Sequence, residues 1–124
     1  MKKDIADTKD IELLVNTFYQ KVLNDGSLSQ FFKHVNWEHH LPIMYQFWEN
    51  ALFFTGNYSG NPMKSHQTIH EQHPINESNF DQWILHFTNT VDELFEGDKA
   101  SLAKQRALSI ATVMKIKLHN KAMH

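Results

Sequence analysis

The segment GNPMKSHQTIHEQHP, Gly60 to Pro74, sets His66, His70 and His73 four and then three residues apart. In a helix, side chains four apart lie on one face, and zinc accepts imidazole ligands at such a spacing. The rest of the chain limits that chemistry. It has no cysteine and no His-Glu-x-x-His arrangement, and Pro74 closes the segment directly after His73. Surface or capping histidines are the plainer reading of the trio. A second pair, His39 and His40, is adjacent, and neighbours on a helix point about 100° apart, so one of the two faces inward. The stripe Trp37, His40, Leu41, Met44, Trp48 makes that one His40. A hydrogen-bonded core histidine and a functional one both remain open there.

Other reactive arrangements have less support. Glu38, Glu49 and Glu71 each lie near a histidine, but no pair of carboxylates recurs on an apolar face where burial would raise a pKa. There is no Gly-x-Ser-x-Gly nucleophile setting, and Gly56-x3-Gly60 lacks the Lys-Ser/Thr of a phosphate loop. An enzyme built on these residues therefore needs a cofactor.

The elements that must position them are helical. Ile11, Leu14, Val15, Phe18, Tyr19 and Val22 keep a helical period, with Asp7 or Asp10 to cap it and Asn24-Asp25-Gly26 to stop it. In LSQFFKHV, Leu28, Phe31, Phe32 and Val35 share one side of a short turn that must pack on its neighbours. A second long helix is expected from about Asn36 to Phe54. Pro42 lies past its first turn if Asn36 caps it, and within the first turn if it starts near His39. TGNYSGNP reads as an ordered turn region. A third helix follows Pro74, with Phe80, Trp83, Ile84, Phe87, Val91, Leu94 and Phe95 inward. Gly97 ends it, and Asp98 is the expected cap of a fourth, which carries Leu102, Ala103, Ala107, Ile110, Ala111, Met114 and Leu118. The cationic run Lys115, Lys117, His119, Lys121 complements that helix's C-terminal dipole.

A chain of 124 residues suits one all-α domain, residues 1–124. Its formal charge of -2 offers no general attraction to nucleic acid or to an anionic membrane. The opening MKKDIADTKD has no apolar run, so neither a secretory signal nor a membrane span is expected, and the cytoplasm is the default location. Three Trp, three Tyr and nine Phe exceed what packing alone demands, and a flat apolar guest would absorb them. Haem asks for that mixture: a lone histidine ligand, apolar stripes and a few polar groups on the facing helices.

The chain resembles the group III truncated haemoglobins over nearly its full length. The resemblance is carried by FYQKVLND (Phe18 to Asp25), Phe31-Phe32, WEHHLPIMYQFWENAL (Trp37 to Leu52), TGNYSGNPMKSH (Thr55 to His66) and NFDQWILHF (Asn79 to Phe87). It implies a shortened globin fold, a two-over-two helical sandwich around haem b, held noncovalently because no Cys-x-x-Cys-His motif exists. It makes His66 the proximal iron ligand, and Tyr19, His40 and Trp83 the polar residues of the opposite, distal side. Phe32 matches the family's phenylalanine against the porphyrin. Met44 lies one turn after His40, where the family usually has an aliphatic side chain, and Phe47 and Trp48 match its FW pair. The loop QTIHEQHP departs from the family's leucine- and proline-rich pattern, so His70 and His73 are unmatched. The resemblance further implies binding of O2, NO or CO and an electron-donor reductase. Nitric oxide dioxygenation or a peroxidase-like reaction suits it better than bulk oxygen transport. A histidine-rich helical zinc-binding module and a cofactor-free helical interaction protein are the competing classes.

Overall fold

The computed structural model describes residues 2–55 and 76–122, with side chains described as far as Ile116. The expected turn from Gly56 to Pro62, the three histidines His66, His70 and His73, and the side chains of Leu118, Lys117, His119 and Lys121 lie outside the described residues. Five α-helices and one 3-10 turn form the described chain: α1 Thr8–Asn24, α2 Gly26–Ser29, the turn Gln30–Phe32, α3 Trp37–Phe53, α4 Glu77–Leu94 and α5 Asp98–Ala122. There is no strand among the described residues. The four long helices make two pairs, α1 with α3 and α4 with α5, and the pairs meet through α1 on α4 and α3 on α5. This is the all-α, two-over-two arrangement expected from the sequence.

Local chemistry sets most boundaries. Asp7 caps α1 by accepting from the Asp10 amide at 3.0 Å, which leaves Asp10 inside the helix. Ile11, Leu14, Val15, Phe18 and Val22 are buried as their period requires. Asp25 ends α1 and caps α2, its carboxylate accepting from the Ser27 amide at 2.9 Å. At the start of α4, Asn76 and Asn79 form a reciprocal capping box, with bonds of 2.9 and 3.0 Å between each side chain and the other's amide. Helix α3 begins after Asn36, so Pro42 lies past the first turn, where its missing N–H removes one bond of the helical ladder. Phe54, in left-handed conformation at φ 57°, terminates it.

The cap expected from Asp98 is replaced. Asp98 is already helical, and Asp4, from the N-terminal arm, accepts from the Lys99 and Ala100 amides at 2.9 and 2.8 Å. Gly97 permits this at φ 143°, because a Cβ there would lie 2.6 Å from Asp4 Cγ. Burial alone would raise the Asp4 carboxyl, but the amides of Lys99, Ala100 and Ile5 and the Lys99 charge hold it below its ordinary value. Along α5, Ala100, Ala103, Ala107 and Ala111 are buried, small residues that let the neighbouring helices approach closely. Lys115, in the cationic run, also pairs with Asp81 of α4. No described helix is long and apolar enough to cross a membrane.

Candidate functional site

Helix α3 is the most apolar of the long helices, yet only Trp48 and Leu52 in it are buried. Leu41, Met44, Tyr45, Phe47, Ala51 and Phe53 pack against the core while remaining half-exposed. An apolar stripe of this width ordinarily disappears into a core.

Its N-terminal half meets α1 at a polar pair. Tyr19 Oη lies 3.1 Å from His40 Nε2, within hydrogen-bond range. Rings surround Tyr19: Phe18 at a centroid distance of 5.0 Å, Trp37 at 5.0 Å, His40 at 5.5 Å and Phe32 at 6.0 Å. Burial pushes the Tyr19 phenol far above its ordinary value, so it keeps its proton at any physiological pH. Trp83 joins from α4 through Phe18, edge-on at 5.7 Å, and stacks on Phe87 at 6.2 Å. Phe87 is fully buried and carries Trp48 on a stacking contact of 4.7 Å, so it backs the aromatic wall.

The sequence-expected residues Tyr19, His40, Phe32, Met44 and Trp83 thus contribute to one layer spanning α1, the 3-10 turn, α3 and α4. Tyr19 and His40 touch directly, and Trp83 reaches them through Phe18. His66 lies outside the described residues. Trp37 was expected only as a stripe residue. It sits edge-on to His40 at 5.5 Å and stacks on Phe32 at 5.9 Å, a position signalled by its place three residues before His40. A second polar pair had no sequence signal, since His86 Nε2 and Asp25 Oδ2, 2.7 Å apart, come from elements 61 residues distant. The His86 bond, helped by Ser27, holds the Asp25 carboxyl below its ordinary range.

These residues fit a planar, largely apolar prosthetic group. The partly exposed face of α3 is an apolar surface, and Tyr19 and His40 place polar atoms at its N-terminal end. Among the described residues no cluster of three His, Cys, Asp or Glu side chains is arranged to hold a metal ion.

Known proteins agree with this architecture. A group 3 truncated hemoglobin of Campylobacter jejuni is 26% identical over 118 residues, covering 90% of this chain and 91% of that protein. The crystal structure of a group III truncated hemoglobin from Campylobacter jejuni superposes with a TM-score of 0.83 at 26% identity, over 95% of each chain. The sequence pattern of the bacterial-like globins matches residues 3–120, and the chain belongs to that family, as a group III truncated haemoglobin.

Proposed function

We propose that this globin holds a b-type haem against the half-exposed face of α3, with His66 as its proximal ligand, and binds diatomic molecules such as O2, NO or CO. Family membership supports the cofactor, and one observation carries the distal assignment: Tyr19 Oη and His40 Nε2, 3.1 Å apart inside a wall of rings. When bound, the haem supplies an iron centre that takes a diatomic ligand and exchanges electrons. The remaining work falls to side chains. Phe32, Met44 and Phe47 line the apolar wall and exclude water. With the His40 ring proton on Nε2, that N–H donates to Tyr19 Oη and leaves the Tyr19 proton directed at a ligand, while the Trp83 indole N–H is a second donor. His40, on the partly exposed flank, approaches or swings away.

A neutral hydrogen bond is worth about 1 kcal/mol, so two donors slow ligand escape by roughly tenfold or more. Slow release suits redox chemistry on a retained ligand, nitric oxide dioxygenation or a peroxidase-like reaction with an electron-donor reductase in the cytoplasm, better than bulk oxygen transport.

The absorption spectrum tests the reading. The purified protein should show a Soret band that shifts on reduction and again on adding CO. A colourless protein that takes up no haem overturns the proposal, and an unaltered ligation spectrum in His66→Ala removes His66 as the ligand.

A further inference from the structure

We infer that Tyr19 and His40 form a proton-coupled redox pair, in which Tyr19 yields one electron while its phenolic proton passes to His40 Nε2. The pair works in the His40 tautomer opposite to the one that turns the Tyr19 proton toward a ligand: with the imidazole proton on Nδ1, Tyr19 Oη donates to Nε2 across 3.1 Å. Phe18, Phe32 and Trp37 crowd the ring with centroids 5.0, 6.0 and 5.0 Å away and hold the phenol in register with the imidazole. The phenol does not ionise first in these surroundings, because burial raises its pKa. Electron loss is therefore coupled to proton transfer, and among the described residues the His40 imidazole stands within hydrogen-bond range as the base.

The step balances. One electron leaves the phenol, the O–H bond breaks, and a bond forms from the proton to Nε2, leaving a neutral phenoxyl radical beside an imidazolium. The electron reduces a one-electron oxidant. Where a peroxide is that oxidant, its reduction to water would take one electron from Tyr19, the second from an external donor and two protons from solvent, and a bound haem would supply the chemistry that activates it. That natural oxidant rests on the haem reading proposed above, whereas the pair itself does not.

Tyr45 supplies an internal contrast. Its hydroxyl donates to Asn16 Oδ1 at 2.5 Å, and an amide oxygen is not a base of comparable strength. The structure thus assigns redox activity to Tyr19 and not to Tyr45.

The test is flash photolysis of the purified protein with a ruthenium(III) polypyridyl complex generated by persulfate, an oxidant that needs no haem. The background is Tyr45→Phe with Tyr58→Phe, which leaves Tyr19 as the remaining tyrosine. Electron paramagnetic resonance with ring-deuterated tyrosine assigns the radical. The expected result is a tyrosyl signal that disappears in Tyr19→Phe and forms roughly a hundredfold more slowly in His40→Gln, which keeps a hydrogen-bond partner but removes the base. A signal that survives Tyr19→Phe, or one that forms at an unchanged rate in His40→Gln, overturns the proposal. If circular dichroism shows that the double-Phe background does not fold, the same differences are read in the otherwise native chain. The Soret band is recorded on the same samples, so loss of the haem reading and loss of the redox pair are seen separately.

Discussion

The corner where the N-terminal arm meets α5 and the proposed ligand pocket beside Tyr19 and His40 are held by different means. At the corner, Asp4 caps α5, Lys3 Nζ bonds Asp10 Oδ2 at 2.5 Å, and Lys99 Nζ donates to the Leu52 carbonyl at 2.6 Å beside the rings of Phe53 and Phe54. Charge-assisted hydrogen bonds of this kind are roughly twice as strong as neutral ones and tie the N-terminal arm, α1, α3 and α5 together. Around Tyr19, ring edges supply the packing, and the hydroxyl lies within hydrogen-bond range of His40 Nε2. The corner spends its polar atoms on the fold. In the proposed function the pocket instead turns its polar atoms to a ligand or an oxidant.

Substitutions separate the two. The largest effect belongs to Phe87→Ala, which removes the ring behind the pocket and opens a cavity against Trp48, Trp83 and Phe18. It should cost about 3 to 5 kcal/mol, read as a lower urea midpoint. Next is Gly97→Ala, at φ 143° and with a Cβ directed into the Asp4 side chain. Its cost is about 1 to 3 kcal/mol in thermal or urea unfolding. An unchanged midpoint would mean that the corner tolerates displacement of Asp4.

Asp4→Ala deletes the cap itself and should cost about 0.5 to 2 kcal/mol. Its effect depends on pH. The folded pKa of Asp4 lies below the ordinary value of 3.8, so its contribution is present above that value and is lost as pH falls through the depressed folded one. The stability difference between the native protein and Asp4→Ala should therefore be full near neutrality and shrink below pH 3.8. Asp10 has the same sign: burial opposes ionisation, but the Lys3 bond and the Ala6 and Asp7 contacts lower its pKa, so some acid sensitivity persists in the variant.

The helices were legible in the sequence because their signals are local: the Asp7 cap, the period from Ile11 to Val22, and the inward row Phe80, Phe87, Val91 and Phe95. The Asp98 expectation failed because the group that caps α5 lies 95 residues away from the Lys99 amide, a separation that no periodic pattern encodes. The site was legible in part for the same reason. The stripe on α3 pointed His40 inward, but its partnership with Tyr19, 21 residues earlier, came into view only through resemblance to a known family. Trp37 was visible as an apolar position and not as the ring that touches both members of the pair, since periodicity reports a face and not what stands opposite it.

The smallest change in stability is expected from Tyr19→Phe. The phenyl ring keeps its packing with Phe18, Phe32 and Trp37, and only the hydroxyl bond to His40 is lost. A single side-chain hydrogen bond is worth about 1 kcal/mol, so its removal should cost about that much in urea unfolding. Ligand kinetics should respond more strongly in proportion, with O2 dissociation from the haem-loaded protein faster by roughly fivefold, the rate equivalent of one neutral donor. Asp4→Ala gives the reverse pattern, a measurable loss of stability with the dissociation rate unchanged. An O2 dissociation rate that is the same in Tyr19→Phe removes the hydroxyl from ligand retention. A rate that rises equally in Asp4→Ala means that general loosening of the fold sets ligand escape, and the corner and the pocket are then not separate in function.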